Sequence, residues 1–305
     1  MEAQSKADSG PSHLEAGIIG ALVYADLFDY PLTLSEIHRY LVGQAAPLTA
    51  IEERLTGNGW LRERLGSNPP FWFLAERGHL AHVRREREAY AQALWPLAWR
   101  YGGMIAALPF VRLVAVSGSL AMNNVASPQD DIDFLVVTQS NRVWLTRGLA
   151  ILIVHLARRR GVFLCPNYVV SEHRLWIDSP SLFAAHELAQ MIPLYGLEFY
   201  QRLLNSNPWI AEYLPNASAR QTSDGELGKV PRIGKSALES ALCGRLGNGI
   251  ERWERERKIA RLRTEALQQG GGGTQFGPDL CKGHMDDHAS VVRQRYQARL
   301  ESLGI

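Results

Sequence analysis

The stretch from Val111 to Val137 constrains this chain more than any other part of it. Val111-Arg-Leu-Val-Ala-Val116 is a strand-like run that ends in Ser117-Gly118-Ser119, and a helix is expected directly after it. Eleven residues intervene before Asp131-Ile-Asp-Phe-Leu-Val-Val137, a second strand-like run. Glycine lets an anion approach the backbone closely. Free N–H groups at a helix start, with the Ser119 hydroxyl, can then hold a phosphate. On a strand, residues i and i+2 point to one side, so Asp131 and Asp133 are expected to share a face. Two carboxylates inside an apolar strand are costly without a partner or a metal. Hard oxygen ligands select Mg²⁺ (or Mn²⁺) over thiophilic metals. Two such ions would clamp the attacking and leaving oxygens of an in-line phosphoryl transfer. The plainer alternative is a β-turn-β element with Asp131 as a turn carboxylate.

This pattern resembles the nucleotidyltransferase superfamily of the DNA polymerase beta type, whose signature is Gly-Ser, a short variable loop and Asp-x-Asp in a strand. The matching residues are Gly118, Ser119, Asp131 and Asp133, flanked by Val116, Ile132 and Phe134. The resemblance covers residues 111–137 and extends to about 172. It implies an enzyme that moves a nucleoside monophosphate from an NTP, expected to be ATP, to an acceptor hydroxyl and releases pyrophosphate. It implies Gly118 and Ser119 as holders of the β- and γ-phosphates, and Asp131 and Asp133 as ligands of Mg²⁺ or Mn²⁺. It also implies a third carboxylate on a following strand, as base for the acceptor. The strand in that place, Phe163–Val170, contains no acid. Asn167 stands where one is expected, and Glu172 and Asp178 lie beyond. Asn167 or Glu172 is therefore expected to position the acceptor. The plainer reading of Asn167 is a turn residue after Pro166.

The rest of the chain organises around this segment. Residues 1–13 read as a disordered polar leader. Residues 14–82 carry three short amphipathic patterns and a Gly-Ser-Asn-Pro-Pro hairpin signal, the grammar of a winged helix-turn-helix. Residues 83–108 read as a connecting helix, interrupted near Pro96. The core spans 109–215, helix-like over Arg142–Arg160 and with helical patterns continuing after the Phe163–Val170 strand to about Tyr213; a loop or linker rich in Ser, Gly, Asn and Asp spans 216–236, and a helical C-terminal part spans 237–305. The fold class expected is α/β (α+β): a winged helix domain, a central nucleotidyltransferase mixed sheet flanked by helices, and C-terminal helices.

A second cluster lies at Phe276–His288. Lys282, beside Gly283, is read as a point charge that reaches the triphosphate. Cys281, His284 and His288 have zinc-like spacing, with Asp287 as a fourth candidate ligand. The plainer reading makes Asp279 a helix cap and His284 a satisfied polar residue.

Charge decides between partners. The chain carries 33 Lys+Arg and 31 Asp+Glu, a net +2. Residues 14–82 hold five Arg and no Lys against eight acids, so 5 − 8 = −3. A DNA binder needs cations to displace counterions, so DNA recognition by this module is disfavoured. A small-molecule or protein acceptor is favoured over a polynucleotide. A rival reading keeps the module as a DNA- or partner-binding element of a regulatory protein, with a degenerate nucleotide-binding domain. Three scattered cysteines and no long apolar run suggest a cytoplasmic protein with no membrane segment. Oligomeric state is not legible.

Overall fold

The computed structural model of the protein describes residues 10–217, 232–268, 275–282 and 288–305. Among these residues it is a mixed α/β chain of twelve helices and nine strands, the strands forming one three-stranded and one six-stranded sheet.

Helix α1 (His13–Asp26) is capped by Ser12, whose hydroxyl accepts from the Glu15 amide while the Glu15 carboxylate accepts from the Ser12 amide. This capping box satisfies two orphan donors and orders residues that the sequence assigned to the leader. Strand β1 (Leu32–Thr33) follows, and Thr33 with Glu36 makes a second capping box for α2 (Leu34–Arg39). Helix α3 (Leu48–Thr56) starts after Pro47 and stops at Gly57. Strands β2 (Leu65–Asn68) and β3 (Phe71–Leu74) form the expected hairpin, and β1 extends it in the order β1-β3-β2. Ile18, Leu22, Ile37, Ile51, Leu55 and Leu74 fill the core of this part.

Helix α4 (Leu80–Ala106) runs through Pro96 without the expected interruption. An interior proline costs about 3 kcal/mol. Ala91, Leu94, Ala98, Tyr101 and Ile105 lie at helical spacing on one buried stripe, and their burial offsets that cost.

Six elements build the centre: β4 (Val111–Val116), α5 (Gly118–Ala121), β5 (Ile132–Thr138), α6 (Val143–Arg158), β6 (Leu164–Ser171) and α7 (Leu182–Gln190). Then come β7 (Ile192–Tyr195), α8 (Leu197–Asn205) and α9 (Ile210–Tyr213). Strand β7 interrupts a stretch read as helical, because four apolar residues are too few for periodicity to separate the two states. The C-terminal part holds α10 (Arg232–Leu242), α11 (Arg245–Gln268), β8 (Gln275–Gly277), β9 (Leu280–Lys282) and α12 (His288–Ser302). The expectation of a purely helical C-terminal part is corrected. Strands β8 and β9 join the central sheet, whose order is β7-β4-β5-β6-β9-β8. Among the described residues, only β5 and β6 pair in parallel.

Alternation along the strands assigns the two faces. Ile132, Phe134 and Val136 pack with α4 and α6, while Leu135 and Val137 pack with α7, α8 and α9. Asp133 stands two residues before Leu135, so alternation places it on the face that α7 covers.

Candidate active site

The turn after β4 is built around one backbone conformation. Gly118 has φ +64°, a region that L side chains avoid. A Cβ placed there would lie 2.5 Å from Asp133 Oδ2. Glycine is thus needed twice, for the dihedral and for the closeness of the carboxylate. The Ser117 amide donates to the Asp133 carbonyl at 3.0 Å and ties the turn to the next strand.

Asp131 and Asp133 converge as expected, and Cys165 on β6 joins them. One ligand atom from each of the three lies within 4.8 Å of the others. Asp133 pairs with Cys165 across the parallel ladder, which brings the thiol to hydrogen-bond its carboxylate. Burial, followed by the charges of Asp131 and Glu187, pushes Asp133 up to about 7. Burial and then the Asp133 charge push the Cys165 thiol up to about 12. The two carboxylates offer the hard oxygens that Mg²⁺ or Mn²⁺ takes, and a neutral thiol beside them does not displace that preference. The residues present fit such an ion.

Asn167 and Lys282 are carried to the same side. A bulge in the β5–β6 register lets Asn167 and Tyr168 both line one cavity, together with Ser117, Glu187 and Lys282. Lys282 reaches this place as the last residue of β9, opposite Tyr168, rather than from a loop before a helix. Asp279 accepts from the Ser171 amide in the β8–β9 turn and caps no helix.

Glu172 is not brought to the site. It follows the far end of β6, seven residues from Cys165, which is about 23 Å along a strand. Its carboxylate accepts from the Ser140 amide at 3.4 Å, and it lines a separate cleft with Trp176 and Arg202. Asp178 does line the cavity of Asn167 and Lys282, but its carboxylate is engaged by Arg174 at 2.8 Å. The proposed zinc ligands His284 and Asp287 and the side chain of His288 lie outside the described residues. Cys281 is buried on the opposite face, among residues packed on α4 and α6.

The carboxylate that sequence reasoning missed is Glu187. It sits on α7, acts electrostatically on Asp133, and lines both the Lys282 cavity and a second one beside Gly118 and Ser119. Burial pushes it up to about 7, against the opposing pull of Lys282. In Ala-His-Glu-Leu on an amphipathic helix it carries no sequence signal. Cys165 carries none either, because its strand is one where the pattern calls for an acid.

The raised Glu187 pKa has a stability consequence. The folded value, about 7, exceeds the ordinary carboxyl value of 4.5. Its contribution is therefore fully present below about pH 4.5 and is lost as pH rises through 7. Glu187→Gln removes this titration. In chelator, the variant should gain about 1–3 kcal/mol relative to wild type between pH 4 and pH 8. Urea midpoints at both pH values check this, and an equal difference at both would show that Glu187 titrates normally.

The loop after α5 is held by the N-terminal part. Tyr30 Oη donates to the Met122 carbonyl at 2.8 Å, Asn124 Nδ2 to the Phe28 carbonyl at 3.0 Å, and Arg87 to Asn124 Oδ1 at 3.0 Å. Trp95 Nε1 donates to Asn123 Oδ1 at 2.7 Å from the side of α4. Asn124 and Met122 return amides to the Ser119 carbonyl, so these contacts bear on the glycine turn itself.

No protein-family model, curated protein or solved structure matches this chain. Among the described residues, no helix is long and apolar enough to cross a membrane.

Proposed function

We propose that the protein is a metal-dependent nucleotidyltransferase of the DNA polymerase beta type. It would transfer a nucleoside monophosphate from an NTP to an acceptor hydroxyl and release pyrophosphate. The observation that carries this reading is the closeness of Gly118 to Asp133, which sets a glycine turn directly against a convergent Asp131–Asp133 pair. In this reading Gly118 and Ser119 hold the β- and γ-phosphates through backbone N–H groups and the hydroxyl. Asp131 and Asp133 hold Mg²⁺ or Mn²⁺, which when bound neutralises charge on the reacting phosphate and the acceptor oxygen. Lys282 supplies a fixed positive charge, and Asn167 a hydrogen-bonding side chain, beside the transferred group. Glu187 takes the acceptor proton as the acceptor oxygen bonds to the α-phosphorus and the bond to the pyrophosphate oxygen breaks. Glu187 thus fills, from a helix, the place expected of a strand carboxylate.

In this reading the parts from α1 to β3 form a winged helix module that covers the site and meets the acceptor. The outward face of α3, the position of a recognition helix, carries Glu52 and Glu53 beside a single Arg54. That face repels a phosphate backbone.

The test is direct. The protein is incubated with α-labelled NTPs, Mg²⁺ and a cell extract, alongside Asp131→Ala/Asp133→Ala. Wild type should transfer label and the double variant should not. A wild type that transfers no label and instead binds a promoter fragment at physiological salt overturns the proposal.

A further inference from the structure

A polar cleft opens at the end of the central sheet away from Asp133. The loop after β5, the first half of α11 and the β8–β9 turn enclose about 400 Å³ there, a volume within the range of small-molecule sites. Gln139, the residue after β5, forms part of the wall and stands six residues past Asp133, about 20 Å along a strand. Pro278 is the one apolar residue in the lining, so burial of apolar surface offers a ligand little here. Charge offers more. Arg142, Arg252 and Arg255 line the cleft against a single acid, Glu251, so 3 − 1 = +2.

Glu251 is already committed. The residue is 5% exposed, and its carboxylate accepts from the Trp144 amide at 3.1 Å and the Leu145 amide at 2.7 Å, in the first turn of α6. Arg142 is equally buried, and its partners are neutral. Its terminal nitrogens donate to the carbonyls of Asn141, Leu242 and Cys243 at 2.7, 3.3 and 2.9 Å, and its guanidinium lies 5.0 Å over Phe110. Carbonyls and a ring satisfy hydrogen bonds without cancelling a charge, and a buried cation is costly without an anion nearby. Arg252 and Arg255 stand three residues apart on α11 and so share a face. Among the described residues the side chain of neither makes a hydrogen bond or an ion pair. Arg252 is exposed and Arg255 half-buried, and two unengaged guanidinium forks thus border one space.

We propose that this cleft binds a compact small-molecule anion with at least two negative charges, held by the Arg252 and Arg255 forks in the field of Arg142. A guanidinium fork matches phosphate and carboxylate oxygens alike. Two sources therefore present this chemistry: an oligophosphate and a polycarboxylate. The bound anion ties α11 to the loop after β5. The proposal does not depend on the transfer reading, because the cleft shares no residue with the Asp131–Asp133 site.

The experiment uses the full chain in low-salt buffer stripped of divalent metal, without NTP, where screening is weak. Tripolyphosphate and citrate are titrated separately by calorimetry. At least one should bind saturably with a dissociation constant of about 0.1 mM. Arg252→Gln/Arg255→Gln removes two charge-assisted partners and should weaken that anion at least tenfold. Lys282→Gln, which removes the cation of the transfer site, should leave it unchanged. Should the double variant lose its cooperative melt, Arg252→Gln alone decides, since that side chain is exposed, and a loss of about threefold or more is expected. Tighter binding of tripolyphosphate assigns the cleft to phosphates, and tighter binding of citrate assigns it to carboxylates. The proposal is overturned if neither anion saturates up to about 10 mM, if the arginine variants bind as wild type does, or if Lys282→Gln abolishes the binding.

Discussion

Under the proposed function, Gly118→Ala should lower nucleotidyl transfer about 100-fold while leaving a folded protein. Two effects combine at this position. The φ of +64° costs an L residue about 1–2 kcal/mol. The new methyl also meets Asp133 Oδ2 at 2.5 Å and Asp133 Cγ at 3.3 Å, so either the carboxylate or the turn must move. A displacement of about 1 Å in a reacting constellation costs on the order of 100-fold in rate. Gly161 separates the two effects. It has φ +74°, and a methyl group added there would meet nothing within 4 Å. Gly161→Ala should therefore show the same backbone penalty in urea unfolding and unchanged transfer. If both variants lose transfer alike, general destabilisation is the cause and the Gly118–Asp133 contact is not special.

Arg84→Met should destabilise the protein by about 3–5 kcal/mol. Arg84 projects from α4 into the N-terminal part, with its side chain 6% exposed. It bonds Glu36 through both terminal nitrogens at 2.7 and 2.9 Å, the Pro31 carbonyl, and Glu88 at 2.8 Å. Its guanidinium lies over Tyr30 at 4.2 Å and Phe71 at 4.5 Å. Methionine keeps the stem and removes the charge, which strands the largely buried Glu36 carboxylate. That carboxylate also closes the capping box of α2. The double variant Arg84→Met/Glu36→Gln should recover part of the loss, because no unpaired charge then remains. A single variant within about 0.5 kcal/mol of wild type would class Arg84 with ordinary surface residues. The consequence reaches the site, because Tyr30, which Arg84 covers, anchors the Met122 carbonyl next to the glycine turn.

Charge along the chain takes on a spatial meaning in the fold. Lys282 belongs to the C-terminal stretch 245–305, where eleven bases against eight acids give +3. In sequence it stands far from Asp133. Strand β9 pairs with β6 and delivers it to the face where burial pushes both Asp133 and Glu187 up to about 7, and where its own charge pulls Glu187 back down. The acidic module, at −3, packs on the other side of that same helix α7, through the Tyr24–His186 stack.

Local chemistry was readable from the residues alone. Strand β4, the glycine turn, the Asp131–Asp133 pair, α6, β6 and the β2–β3 hairpin follow from apolar periodicity, Gly and Pro punctuation, and carboxylates in an apolar run. Each depends on neighbours a few residues apart. The elements misread are those whose state is set by distant partners. Pro96 stays helical because a buried stripe outweighs its cost. Strands β7 and β9 exist because β4 and β6 offer open edges. Cys165 becomes a site residue through its register opposite Asp133, and Glu187 because α7 lies across that face. The sequence by itself determined the glycine turn at Gly118 and Ser119 and the neighbouring Asp131 and Asp133 carboxylates. Only the tertiary structure decided that Glu187 lies beside Asp133, since a carboxylate on a helix acquires its neighbours from what the helix is packed against.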